Sequence, residues 1–113
     1  MSDSLAERLD AGLELMRRRA YFEAHEELEL AWRAAAREER DFFQGLVHVT
    51  VAWYHAGRAN RAGCERQLEK AARRLAPYAP AHRGVDVASV LRQVDAARAR
   101  VAGGSLALAE LRL

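Results

Sequence analysis

Apolar positions recur three and four residues apart along most of the chain, the period of an amphipathic helix, and breaks in that rhythm divide it into five segments. Leu5, Leu9, Leu13 and Met16 form the first stripe, which closes at about Arg18 in a triple arginine suited to the negative end of a helix dipole. Ser4 and Glu7 have the spacing of a capping box at its start. A second helix is predicted from about Ala20 to Arg37, and so short a connection makes the first two helices an antiparallel hairpin. Asp41 and Gln44 repeat the box in its Asp/Gln form ahead of a third helix that is apolar nearly all round. Its stripes are Phe42, Leu46, Val49, Trp53 and Ala56, with Phe43, Val47 and Tyr54 beside them. Gly57 ends it. Asn60 caps a fourth helix that runs to about Leu75, before Pro77 and Pro80, and Asp86 caps a fifth that reaches Gly103-Gly104. The tail SLALAELRL mixes alternating leucines with helical residue types and stays undecided.

The expected fold is therefore all-α: a compact antiparallel bundle of about five helices built from helical hairpins, with residues 1–113 as a single domain. An offset of forty residues aligns Leu28, Glu29, Ala31, Arg33 and Ala36 with Leu68, Glu69, Ala71, Arg73 and Ala76. Two hairpins of like pattern resemble a tetratricopeptide-type pair, which buries its faces by stacking. Alanine and leucine dominate, and β-branched residues are few, which reinforces the helical reading.

Chemistry concentrates in the second helix, YFEAHEELELAW. Tyr21, Ala24, Leu28, Ala31 and Ala35 make a plain core stripe; Phe22, His25, Glu29, Trp32 and Ala36 set an imidazole and a carboxylate, one turn apart, between two large aromatics. On the third helix the polar stripe is Gln44, His48, Val51 and His55. His25, Glu26, Glu29, Gln44 and His55 are accordingly the candidate polar cluster, expected in the cleft between the second and third helices.

Charge adds an asymmetry. The net value is +2, too small to argue for nucleic acid, but residues 1–41 carry −4 and residues 42–113 carry +6. The fourth helix and its approach hold Arg58, Arg61, Arg66, Lys70, Arg73 and Arg74 against Glu65 and Glu69, without aromatics interleaved to stack bases. That argues against nucleic acid and for a protein partner or homo-oligomer. No apolar run approaches the length of a membrane span, no leader pattern opens the chain, and a single cysteine fits a reducing cytoplasm.

YFEAHEELELAW followed by FFQGLVHVTVAWYHAGRAN resembles the family called domain of unknown function 309. Tyr21, Glu23, Ala24, His25, Glu26, Glu29 and Trp32, then Gln44, Gly45, His55 and Asn60, are the positions that match, within about residues 10–75. The resemblance implies a compact helical bundle and names no activity. Two positions depart from the pattern. Arg19 stands where the family usually has glycine, so a left-handed turn there would be disfavoured, and His48 replaces a glutamine or aliphatic residue.

Three uses of the cluster compete. A metal site would draw on His25, Glu29 and His55, although neither the Glu-x-x-His pairs of di-iron bundles nor zinc-protease spacing is present. An acid/base site would pair His25 with a carboxylate but lacks a credible nucleophile: Cys64 lies in an apolar stripe and reads as a small hydrophobe. A hydrogen-bonded seam, with Trp32 or Trp53 lending an indole N–H, would fix the register of the two helices. The favoured expectation is a non-catalytic binding or interaction module, and the alternative is a metal- or acid/base-dependent, hydrolase-like enzyme using the same residues. Tyr21, Trp32, Asn60 and His48 are supporting positions; no residue pattern names a cofactor.

Overall fold

The five stripes become five helices in a computed structural model that describes residues 4–113: α1 (Ser4–Arg17), α2 (Tyr21–Ala34), α3 (Arg40–Gly57), α4 (Arg61–Leu75) and α5 (Val87–Ala102). Each helix packs on the next in the chain, so the bundle is a file of antiparallel neighbours measuring 47 × 25 × 20 Å. The helix that is apolar nearly all round, α3, sits in the middle of the file. Its Phe42, Phe43, Leu46 and Val49 are fully buried with Leu28 of α2 and Leu68 of α4. No helix among the described residues is long and apolar enough to cross a membrane.

The forty-residue echo falls on α2 and α4, which flank α3 on either side. Leu28 and Leu68, and likewise Ala31 and Ala71, are all fully buried. Glu29–Arg33 and Glu69–Arg73 form matching ion pairs one turn long, at 2.8 and 3.6 Å.

Caps decide the boundaries. Asn60 Oδ1 accepts from the Gly63 N–H and Asp86 Oδ1 from the Ser89 N–H, both at 2.9 Å, as expected. The box at Asp41 and Gln44 does not form. α2 stops at Ala34, three residues short of the predicted end, and a 3₁₀ turn over Arg37–Glu39 leads into α3 at Arg40. Asp41 is already helical and its carboxylate takes the Arg74 guanidinium at 2.8 Å. Ser4 is helical too, and the start of α1, where the Ser4–Glu7 box was expected, borders residues outside the described range.

The turn between α1 and α2 is left-handed at Arg19, with φ +62°. The conformation that glycine usually supplies is thus kept, and the Arg19 guanidinium reaches Glu110 in the tail at 2.8 Å. The tail is neither helix nor strand. It lies against the bundle with Leu111 buried and Ala109 accepting from the Trp53 indole at 3.0 Å. Trp53 therefore serves the tail rather than a polar seam between helices.

A second ion cluster closes the end of the file. Arg83 donates two parallel bonds to Glu39, Nη2 to Oε2 at 2.8 Å, and His82 Nε2 lies 2.9 Å from Oε1 of the same carboxylate. The Arg83 bonds hold Glu39 down at about 2, against its burial, with His82 assisting. The His82 ring also stacks edge-on to Phe42 and near Tyr78. The connection leading to α3 is thereby stapled to the one leading to α5.

A ring-lined pocket between the second and third helices

Because α2 and α3 run antiparallel, the first turn of α2 faces the last turns of α3. Tyr21, Phe22 and His25 from one helix and Val51, Tyr54 and His55 from the other line a pocket of about 140 Å³. The Phe22 ring lies 6.1 Å from His25 and 6.2 Å from Tyr54, and Tyr54 lies 6.0 Å from His55. Phe22 itself is 54% exposed, an unusual amount for a phenylalanine on a helix packed into a bundle. The Arg58 guanidinium sits 5.5 Å above the Tyr54 ring, a cation–π placement on the pocket rim. Burial pushes the Tyr21 hydroxyl above its ordinary value, so it remains protonated.

Each imidazole is anchored within its own stretch of chain. His25 Nε2 lies 2.9 Å from Glu29 Oε2, while the other oxygen of that carboxylate accepts from Arg33 at 2.8 Å. On α3, His55 Nδ1 faces the Asn60 amide nitrogen at 3.4 Å, as Asn60 caps α4. A Cβ at Gly63 would sit 2.9 Å from the His55 ring, so the cap, the glycine and the imidazole form one close-fitted unit. Among the described residues no side-chain hydrogen bond crosses from α2 to α3. The two histidines meet across the pocket through apolar space.

The other expected members lie elsewhere. Glu26 is exposed and outside the lining. Gln44 precedes His55 by eleven residues, which places it roughly 16 Å away along α3. Trp32 is half-buried against the core near the far end of α2. His48 turns toward α4, where its Nδ1 lies 2.7 Å from Gln67 Oε1 and its Nε2 is buried without a partner. Burial lowers the His48 pKa, opposed by the Gln67 bond and aided by Arg74, Lys70 and Arg73. No group of three or more His, Cys, Asp or Glu side chains among the described residues could hold a metal ion, so His25, Glu29 and His55 do not gather as a ligand set. Cys64 is fully buried, and burial pushes its thiol up, the behaviour of a small hydrophobe.

Val51, Tyr54 and Arg58 belong to the site, whereas the sequence placed them only on a helix stripe or in a basic set and not in the candidate cluster. The signal was available: Tyr54, His55 and Arg58 stand three, four and seven residues after Val51, one face of one helix.

The family described as domain of unknown function (DUF309) matches residues 9–67, just over half of the chain. That span holds α1 from Leu9 onward, all of α2 and α3, the Asn60 cap and both walls of the pocket. Comparison with curated proteins and with solved structures returns no match.

Proposed function

The chain belongs to the DUF309 family, and from that premise we propose that it is a non-catalytic binding module whose working surface is the pocket between α2 and α3. One observation carries the reading: five rings and a valine converge on a small open space, with one of the rings, the half-exposed Phe22, at its mouth. An apolar cavity of about 150 Å³ accepts a benzene-sized group, so this one suits a single bulky apolar side chain of a protein partner. Arg58 adds a cation at the rim for a neighbouring carboxylate. His25 and His55 act here as flat walls with one polar edge, positioned by Glu29 and Asn60. A single buried thiol suits a reducing compartment, and we place the module in the cytoplasm on that ground.

Titration with N-acetyl-phenylalaninamide and N-acetyl-leucinamide, followed by NMR of the aromatic and imidazole resonances, tests the reading. Saturable shifts confined to Phe22, His25, Tyr54 and His55 are expected, and Val51→Arg should abolish them without lowering the melting temperature. Shifts that never saturate, or that persist in Val51→Arg, overturn it.

A further inference from the structure

A second kind of surface, already filled, runs along α1, α3 and α5. Residues 105–113 lie on it as an irregular segment, turning at Ser105–Leu108, and the polar anchors on its last residues read backbone atoms. Gln93 of α5 makes a two-pronged amide contact with Arg112, donating Nε2 to its carbonyl and accepting its N–H at Oε1, both at 2.8 Å. Trp53 of α3 donates its indole N–H to the Ala109 carbonyl at 3.0 Å, and Arg17 of α1 donates Nε and Nη2 to the Leu113 carbonyl at 3.3 Å. Leu111, 5% exposed, is the one side chain of the segment that is buried. The ion pair between Arg19 and Glu110 is on the surface, where it contributes little.

Donors and acceptors fixed on helices and aimed at carbonyls and an amide bind any extended chain of suitable shape, because every residue presents the same backbone groups. Side-chain selection then falls chiefly to the Leu111 socket, with Leu106, Leu108 and Leu113 partly buried against the core. The approach to the segment is Gly103-Gly104, where Gly104 at φ +97° and the Ser105 N–H bond to the Arg100 carbonyl end α5 and turn the chain back along the bundle.

We infer that the surface formed by Arg17, Trp53 and Gln93 is a peptide-binding groove, occupied in cis by residues 105–113 and open to exchange with an extended segment of a protein partner bearing a leucine-like residue at the Leu111 position. The inference does not depend on the α2–α3 pocket, which is lined by different residues. Occupation in cis weakens any incoming peptide by the fraction of time the groove is closed. The tail thus sets an affinity threshold for the partner.

The test uses the full chain and a fluorescein-labelled synthetic peptide, SLALAELRL. Leu111→Asp expels the chain's own tail while leaving the groove residues intact, and a red shift of Trp53 fluorescence reports the release. The expected result is saturable anisotropy binding to Leu111→Asp at least about tenfold tighter than to wild type, lost in Leu111→Asp with Gln93→Ala. Methylating the peptide nitrogen at the Arg112 position should abolish binding, whereas alanine at the Glu110 or Arg112 positions should not. If Leu111→Asp proves unfolded by circular dichroism, hydrogen exchange of the wild-type Arg112 amide replaces it, with excess unlabelled peptide expected to speed that exchange. A folded Leu111→Asp that ignores the peptide, binding that depends on the side chains at 110 and 112 rather than on the amide, or a wild-type Arg112 amide unmoved by peptide overturns the proposal.

Discussion

The two flanks of α3 share five like positions at an offset of forty residues and end up differently. On the α4 side the backbones close tightly: a Cβ at Gly45 would lie 2.6 Å from Leu75, His48 meets Gln67, and Arg74 meets Asp41. On the α2 side Ala24, Leu28 and Ala31 are buried, but at the first turn rings stand across from rings, among the described residues no side-chain hydrogen bond crosses, and a space of about 140 Å³ remains. Since α2 and α4 share the echoed leucine, alanine and Glu–Arg positions, the common pattern sets how each helix faces the core. The distinction comes from what stands around it. Small residues and paired polar groups seal a helix seam, whereas large flat side chains on a diverging face leave a gap, which is what a docking surface needs.

Three substitutions probe that contrast. Gly45→Ala should cause the largest loss, about 1–3 kcal/mol, because Leu75 must move to admit even a methyl group. Chemical denaturation measures it, with Gly57→Ala, where a Cβ meets nothing within 4 Å, as the near-neutral control. An equal effect at both glycines would remove the claim that the α3–α4 seam is the tight one.

The second concerns acid. Burial holds the His48 pKa below its ordinary value, so the unfolded chain takes up this proton at a pH where the folded chain resists it. Stability from this group is whole above roughly pH 6.5 and declines as pH falls below it. The slope is a fraction of the ~1.4 kcal/mol per pH unit that a full proton carries, since the ring is only half-buried. Denaturant midpoints between neutral and mildly acid pH should fall less steeply in His48→Leu than in wild type. Parallel slopes would place acid sensitivity outside this seam.

Phe22→Ser should change stability least, within about 0.5 kcal/mol, because the ring already stands half in water. The same variant should lose the binding of N-acetyl-phenylalaninamide. A large drop in melting temperature would make Phe22 a core residue and close the gap in the comparison.

Helix number, order and central element were legible because apolar periodicity is a local property, and Asn60 and Asp86 announced their caps within three residues. The start of α3 was not, because Asp41 is drawn away by Arg74, thirty-three residues later in the chain, and Glu39 by Arg83. Neither partner leaves a local trace. The candidate cluster was half legible. A helix face names residues that point the same way, but antiparallel register decides which of them meet. Thus His25 finds His55 while Gln44, on the same stripe, lies at the other end of α3. The tail was illegible for another reason. Gln93, Trp53 and Arg17 hold its backbone, so its leucines showed that it would bury something but not where it docks.

A row of helices that pack chiefly on their chain neighbours ordinarily frays from either end, each unit loosening by itself. Here Arg17, Trp53 and Gln93 all grip one short strand of residues at the far terminus of the described chain, so the first, third and fifth members are lashed together. Loosening any one of them frees the lashing from all three. The arrangement turns a zipper that could open tooth by tooth into a clasp that lets go as a whole.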